Sequence, residues 1–153
     1  MRTMRGLRGV ARRLVVSRSR GLHCAQPTPQ THPHIMRPGE VTPGISAREY
    51  EERRRNLAAS LPAGSLALFP SSPQAFMAHD VAYFPHHQDT DLLYLSGLQE
   101  HTSMLACVKP TADAAAARWH LFVRPSNPEE ELWDGARAGV HGAQAFFLSL
   151  IHI

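Results

Sequence analysis

The stretch 83–100, YFPHHQDTDLLYLSGLQE, constrains the fold of this chain more than any other segment. A polar, histidine-rich run (HHQDTD) leads directly into four apolar residues (LLYL), and Ser96 and Gly97 follow them. A short apolar run that is bounded by polar residues and glycine is typical of a buried β-strand. We therefore predict a strand over 92–95 that is preceded by a polar loop.

A second segment of unusual residue order is 124–139, RPSNPEEELWDGARAG. An arginine and a polar, proline-containing loop precede the motif Glu-Leu-Trp-Asp-Gly-Ala-Arg. Tryptophan is a large apolar side chain that anchors cores and interfaces, and glycine allows a turn that a Cβ atom would obstruct. We therefore predict that Trp133 is a core or interface anchor and that Gly135 lies in a turn.

In order and spacing, the two segments resemble the N-terminal domain of the aminopeptidase P family, which belongs to the creatinase or pita-bread metallopeptidases. The matching positions are Gln88, Asp89, Asp91, Tyr94, Leu95, Gly97 and Glu100, then Arg124, Glu131, Leu132, Trp133, Gly135 and Arg137. Many bacterial members have an aromatic pair at the positions of Leu92 and Leu93. In having two leucines there, the chain resembles the mitochondrial members. The resemblance implies an α/β fold of three layers with a mixed sheet, incomplete at its C-terminus.

Local signals predict a helix before the first segment. Ser46 and Glu49 form a capping box, and Pro62 and Gly64 end the helical pattern, so the helix is expected over 47–60. Its EYEERRR run indicates a solvated face with Glu–Arg pairs three residues apart.

Several extended segments are predicted around this helix. The apolar run 65–69, SLALF, is typical of an internal strand because glycine and proline bound it. Further extended segments are expected at 76–77, 102–109 and 119–123, with an alanine-rich connector between the last two. The family resemblance implies that this connector is a hairpin loop. Cys107 lies in an apolar strand pattern, which favours a buried free thiol, and neither it nor Cys24 indicates a disulfide framework.

Charge divides the chain into two parts. Residues 1–39 carry eight arginines and no acid, whereas residues 40–153 carry eight basic and thirteen acidic residues, so the formal net charge of +3 is +8 followed by −5. The amphipathic, acid-free segment 1–22 is typical of a mitochondrial presequence cleaved near Leu22, and a disordered basic tail is the alternative. The folded part is not basic, and no apolar run is long enough to cross a bilayer. We therefore expect neither a nucleic-acid partner nor membrane insertion.

The predicted organisation has four parts. A presequence (1–22) and a proline-rich lead-in (23–44) precede a partial aminopeptidase P N-terminal domain (45–147). The last six residues, LSLIHI, break the family pattern and are one translation of a sequencing-adapter sequence, so 148–153 is expected to be a non-native tail. A genuine short isoform that acts as an oligomerisation or interaction module is the alternative.

Histidine and acidic residues invite a metal hypothesis that their arrangement does not favour. His79, Asp80, His86, His87, Asp89 and Asp91 include ligand types for zinc or manganese, but alternation along a strand spreads them apart. His32 and His34 lack further ligands at a workable spacing, and Cys107 has no neighbouring base that would activate its thiol. We therefore name no catalytic, cofactor-binding or metal residue in this chain, and we expect 79–91 to form a polar loop that caps the following strand and faces another subunit or the family's C-terminal domain.

The resemblance implies a function for the full-length protein. Mitochondrial members are metalloaminopeptidases that remove the N-terminal residue preceding proline, with two divalent ions, expected to be manganese. Two Asp, one His and two Glu bind those ions in a C-terminal domain that we expect this chain to lack, so it should bind no manganese and be inactive alone. The family's N-terminal domain shapes substrate access and forms homo-oligomers. His87, Asp89, Asp91 and Leu93 are accordingly expected at the substrate entrance or a subunit contact, although Leu93 could equally be ordinary core.

Overall fold

A computed structural model describes residues 24–78 and 82–147 of the chain. Its strands are β1 (Glu40–Thr42), β2 (Ile45–Ser46), β3 (Ser65–Pro70), β4 (Phe76–Ala78), β5 (Ala82–Tyr83), β6 (Met104–Lys109) and β7 (Arg118–Phe122). Its helices are α1 (Ala47–Ser60), α2 (Thr90–Ser96), α3 (Pro128–Asp134) and α4 (Gly139–Phe147). A short 3₁₀ turn (Ala114–Ala116) lies between β6 and β7. The predicted presequence and tail lie outside the described residues, as do His79 and Asp80 of the metal hypothesis.

The main sheet is an antiparallel meander in the order β3-β6-β7. Ala67 pairs with Cys107, and Cys107 pairs with Trp119, so these three side chains share one face of the sheet. That face packs against α1, α2 and α4 in one apolar core, whose members include Tyr50, Ala58, Leu92, Leu95, Leu105, Leu121, Ala143 and Phe147. Burial of this face is the main source of stability. Cys107 is fully buried as a free thiol, as its strand pattern predicted.

The prediction that β3 is an internal strand is wrong, because β3 lies at an edge of the described sheet. Its residues alternate between half-buried and exposed positions, and Leu66 and Leu68 are 61% and 53% exposed. Val108 and Phe122 are exposed on the same sheet face. Because the residues on both faces of β3 are apolar, its sequence does not reveal which face is covered.

Helix α1 begins and ends where its sequence signals predict. The Ser46 hydroxyl accepts a hydrogen bond from the Glu49 amide at 3.3 Å, but the Glu49 carboxylate pairs with Arg53 rather than with the cap. The surface pairs of α1 are four residues apart, as in Glu51–Arg55, so the predicted spacing of three is wrong. Arg54 is also not solvated: it is buried, and its Nη1 donates to the Leu95 carbonyl at 2.8 Å. This bond ties α1 to α2.

The prediction of a strand over 92–95 is wrong, because these residues lie in helix α2. Asp89 is the N-cap, and its Oδ1 accepts from the amides of Asp91 and Leu92 at 3.0 and 3.1 Å. Gly97 is the C-cap with φ of +74°, a left-handed conformation that glycine adopts without strain. Because the segment is a helix, Leu92 and Leu95 lie on its buried side, one turn apart.

The proline-rich lead-in packs onto the domain rather than extending from it. Gln26 is buried, and its Nε2 donates to the carbonyl of Gly97 at 3.0 Å while its Oε1 accepts from the Gln99 amide at 2.9 Å. Met36 and Val41 are also buried. Within the described residues, no helix has the length and apolar character needed to span a membrane.

Candidate functional site

The two sequence motifs meet at a cleft of about 470 Å³. The first motif contributes Glu100, and the second contributes Arg124 and Asp134. The full lining is Ala25, Gln74, Phe76, His86, Gln99, Glu100, His101, Thr102, Arg124, Asp134 and Ala136. Five of these side chains are ionisable, so this cleft is the candidate functional site.

Glu100 joins three distant parts of the chain at this cleft. Its side chain is 3% exposed, and its Oε1 accepts from the Ala138 amide at 2.7 Å and from the Ala25 amide at 3.4 Å. The Gln88 side chain donates to the Glu100 carbonyl at 2.9 Å and accepts from the Ser72 amide at 3.1 Å. Because burying unpaired amides is costly, these bonds make Glu100 and Gln88 determinants of the fold.

Arg137 is the buried charged residue of the second motif, as Glu100 is of the first. Its side chain is 5% exposed, and its guanidinium pairs with Glu130 at 2.6 Å and with Asp134 at 3.0 Å. The hydrogen bond from Arg137 is the main cause that lowers the pKa of Glu130. Arg137 therefore ties α3 to the turn that follows it.

Arg124, in contrast, forms no hydrogen bond or salt bridge with any residue that the structure describes, and its Nε atom is buried. Burial lowers the pKa of Arg124 and the positive charge of Arg137 lowers it further, whereas the charges of Glu100, Asp134 and Glu130 oppose this shift. The cleft thus contains a half-buried cation that its neighbours do not neutralise by contact.

Two imidazoles line the cleft beside Arg124. The rings of His86 and His101 lie 5.8 Å apart, edge to face. Burial lowers the pKa of both; the charge of His87 and then that of Arg124 add to the effect at His86, and the charge of Arg124 adds to it at His101. A lowered pKa favours the neutral imidazole, which carries one N–H donor.

The four residues expected at a substrate entrance or subunit contact lie on or just before α2 and do not line one common cavity. His87 is exposed, Asp89 caps α2 and Asp91 is exposed at the first turn of that helix. Leu93 lines a separate cavity of about 280 Å³, whose other lining residues are Thr42, Ile45, Tyr50, Arg53, Thr90, Tyr94 and Gln99. An entrance or contact role for these four residues remains a prediction.

The structural signature residues divide into buried and exposed members. Tyr94 is 54% exposed, and the Arg53 guanidinium lies 4.4 Å from the centre of its ring, a cation–π contact. Trp133 is 85% exposed, so its assignment as a core anchor is wrong, and its assignment as an interface anchor remains a prediction. Gly135 has φ of +87° at the end of α3, which confirms the predicted turn.

Within residues 24–78 and 82–147, no three His, Cys, Asp or Glu side chains lie close enough together to hold a metal ion. Asp89 Oδ1 is engaged by two backbone amides, and His32 Nδ1 lies 2.8 Å from the Thr31 hydroxyl. The described residues therefore do not fit the two-metal centre that the resemblance implies, and we derive no catalytic step from them.

Sequence reasoning missed three buried polar residues that hold the domain together: Gln26, Arg54 and Lys109. Lys109 is the only lysine of the sequence and is 3% exposed. Its Nζ donates to the carbonyls of Ala58 and Leu61 at 2.7 and 2.5 Å, which satisfies the C-terminal end of α1. The available signal was a charged residue directly after an apolar strand, and that position also suits a solvated strand end.

The chain is similar in sequence to the N-terminal domain of the aminopeptidase P family and to several of its members. The family model described as "Aminopeptidase P, N-terminal domain" matches residues 50–149. The chain is 39% identical over 126 residues to intermediate cleaving peptidase 55 of Saccharomyces cerevisiae, covering 82% of this chain and 24% of the relative. It is 39% identical over 132 residues to human Xaa-Pro aminopeptidase 3, covering 80% of this chain and 26% of the relative. It is 41% identical over 122 residues to mitochondrial intermediate cleaving peptidase 55 of Arabidopsis thaliana, covering 80% of this chain and 23% of the relative.

The fold of the chain is also similar to solved structures of this family. Icp55 from Saccharomyces cerevisiae superposes with a TM-score of 0.64 at 39% identity, covering 71% of this chain and 24% of that chain. Aminopeptidase P from Escherichia coli superposes with a TM-score of 0.64 at 28% identity, covering 70% of this chain and 24% of that chain. The chain spans about a quarter of the length of the curated relatives it matches.

Proposed function

Because the chain belongs to the aminopeptidase P family through that family's N-terminal domain, we propose that it is the noncatalytic N-terminal portion of a mitochondrial Xaa-Pro metalloaminopeptidase. The full-length enzyme would remove the N-terminal residue that precedes proline. The proposal rests on the family match over 50–149 and on the bonds that the matched residues form within the domain. Glu100, Gln88 and Arg137 bond to backbone groups and neighbouring side chains of the same domain. These bonds support a structural role for the three residues.

The metal chemistry of the proposed enzyme belongs to the rest of the protein. We assign two manganese ions to the full-length enzyme and none to the residues described here, whose side chains do not fit such a centre. In this proposal the described domain contributes to oligomerisation and to the shape of the substrate entrance.

A peptidase assay tests the noncatalytic role. The purified 153-residue chain is incubated with manganese chloride and a peptide that has proline in second position, and release of the first residue is followed by chromatography. Human Xaa-Pro aminopeptidase 3 serves as the positive control. We expect release at the rate of the enzyme-free reaction, and manganese-dependent release above that rate would refute the proposal.

The mitochondrial location is proposed from two observations. The Arabidopsis thaliana relative is named as mitochondrial, and residues 1–22 form a basic, acid-free, amphipathic segment. A fluorescent protein fused to the C-terminus of the 153-residue chain should co-localise with mitochondria. The matched variant replaces Arg12 and Arg13 with Glu and should remain in the cytosol. A cytosolic location of the unsubstituted fusion would contradict the proposal.

A second candidate function is an interaction module without peptidase activity, which pairs with full-length subunits. The exposed neighbours Leu132 and Trp133, 78% and 85% exposed on α3, favour it because a large apolar pair in water is typical of an interface. Co-purification of a full-length family subunit with the tagged chain would support this function if substitution of Trp133 with Ala abolished it. Equal recovery with and without the substitution would count against it.

A further inference from the structure

The cleft between the two motifs presents an unpaired cation. The Arg124 guanidinium lines the cleft, is half-buried and makes no hydrogen bond or salt bridge with the described residues. A guanidinium offers five N–H donors in a planar fork that matches a carboxylate in a bidentate manner. An arginine held in a cavity without such a partner is therefore suited to an anionic ligand.

The carboxylates near Arg124 form no salt bridge with it, and Glu100 Oε2 is buried without a hydrogen-bond partner among the described residues. Glu100 Oε1 accepts from two backbone amides, and Glu130 and Asp134 pair with Arg137. With Arg124 and Arg137 against Glu100, Glu130 and Asp134, the region has a formal net charge of −1, yet none of the three carboxylates forms a salt bridge with Arg124. They also disfavour a doubly charged ligand such as phosphate, because Glu100 and Asp134 line the same cleft.

Neutral donors stand beside the cation. His101 Nδ1 lies 2.9 Å from the Thr102 hydroxyl, and the buried His86 Nε2 has no partner among the described residues. A neutral imidazole can donate one N–H to a carboxylate oxygen that Arg124 holds. The two rings are 5.8 Å apart, so a single planar anion can lie near both.

The size of the cleft selects among monoanions. Its volume of about 470 Å³ is far larger than a halide requires, and Phe76 and Ala136 give it apolar walls. Such a cavity suits a small organic acid or the tip of an acidic side chain. A small carboxylic acid can bond to the guanidinium through its carboxylate and contact the apolar side chains through its carbon atoms.

We propose that this cleft is a carboxylate-binding site in which the guanidinium of Arg124 holds the anion and His86 and His101 flank it. The carboxylate comes either from a free small acid or from an acidic side chain of a second copy of this chain. The inference goes beyond the proposed peptidase role and does not depend on it, because the cleft would bind carboxylates whether or not the chain is catalytically inert.

An NMR titration of the 153-residue chain tests the site. Sodium acetate is the probe, sodium chloride at equal ionic strength is the control, and the imidazole signals of His86 and His101 are the readout. We expect saturable shifts with Kd on the order of 1 mM. The pKa of both imidazoles should rise when acetate is bound, since the anion offsets the charge of Arg124. Equal shifts in chloride and acetate would overturn the proposal.

Two arginine variants separate binding from folding. Arg124→Gln removes the guanidinium from the cleft and should weaken acetate binding tenfold or more. Arg118→Gln removes an exposed arginine of β7 and should leave the titration unchanged. If Arg124→Gln does not fold, the acetate titration of the unsubstituted chain decides alone, because a merely structural arginine gives no acetate-dependent shift. Acetate binding that Arg124→Gln leaves intact in a folded protein would also overturn the proposal.

Sedimentation velocity distinguishes the two sources of the carboxylate. If a second copy supplies it, the chain is a dimer that acetate and Arg124→Gln both dissociate. If a free acid supplies it, the chain sediments identically with and without acetate while the NMR titration saturates. A dimer that neither acetate nor Arg124→Gln affects would refute the second-copy source.

Discussion

Substitution of Gly97 with Ala should destabilise the domain strongly, because this glycine meets two separate constraints. Its φ is +74°, a conformation that costs an L-residue roughly 1–2 kcal/mol. A Cβ atom at this position would also lie 2.9 Å from Tyr50 Cζ and 2.9 Å from Val41 Cγ1, both in the core. Such overpacking costs about 1–3 kcal/mol, so we expect a total loss of about 2–5 kcal/mol in the free energy of unfolding.

Gly64 provides a matched control for this experiment. Its φ is also +74°, but nothing lies within 4 Å of a Cβ atom placed there, so Gly64→Ala carries only the backbone strain. Urea denaturation followed by circular dichroism gives the free energy of unfolding of both variants. Gly97→Ala should lose about 1–3 kcal/mol more than Gly64→Ala. Equal losses in the two variants would show that the contacts with Tyr50 and Val41 do not constrain residue 97.

Three further predictions concern residues that hold the motifs in place. Asp89→Ala should lower the free energy of unfolding by about 1 kcal/mol because it removes the N-cap of α2, whereas Asp89→Asn should have little effect; equal losses in urea denaturation would contradict the capping role. Lys109, the only lysine and 3% exposed, should resist an amine-reactive reagent in the folded chain and react in urea; mass spectrometry that finds rapid modification without urea would refute its burial. The pKa of His86 and His101 is lowered in the folded state, so stability should be fully present above the unfolded pKa of about 6.5 and fall as the pH decreases below it. Replacing both histidines with Asn should flatten this decline, and an unchanged pH profile of urea denaturation would contradict the assignment.

The family and the general fold could be predicted because they depend on residue order. The two motifs and their sequence led to the aminopeptidase P N-terminal domain, which the family match and the solved structures confirm. Helix α1 was predicted with the observed bounds, since Ser46 supplies a side-chain cap at one end and Pro62 and Gly64 end it at the other. These signals are local and do not require knowledge of the neighbouring chain.

Helix α2 was mistaken for a strand because four apolar residues fit either periodicity. The decisive signals were the caps, Asp89 before the run and Gly97 after it, which together mark a short helix. The apolar character of LLYL favours a strand, whereas the capping residues on either side of it favour a helix. In this helix the Asp89 carboxylate accepts hydrogen bonds from backbone amides, and Asp91 is exposed in the first turn.

The cleft itself was beyond sequence reasoning. Glu100, Arg124 and Arg137 were each recognised as motif residues, but their spacing does not show that Glu100 is buried against Ala138 while Arg124 remains unpaired. That arrangement arises from the hairpin of β6 and β7, which returns the chain to the end of α2. Tertiary contacts of this kind decide which charged motif residues serve the fold and which face a cavity.

We expect the histidine-rich and acidic motif to stabilise the fold rather than to bind a metal, and paramagnetic NMR tests this expectation most directly. Manganese chloride is added in stoichiometric steps to the ¹⁵N-labelled 153-residue chain, and line broadening of each amide signal is measured. Mn²⁺ prefers carboxylate ligands, so a real site would broaden a compact set of neighbouring signals. We predict no saturable broadening around His86, Asp89 and Asp91. Saturable one-to-one broadening centred on those residues would contradict the account.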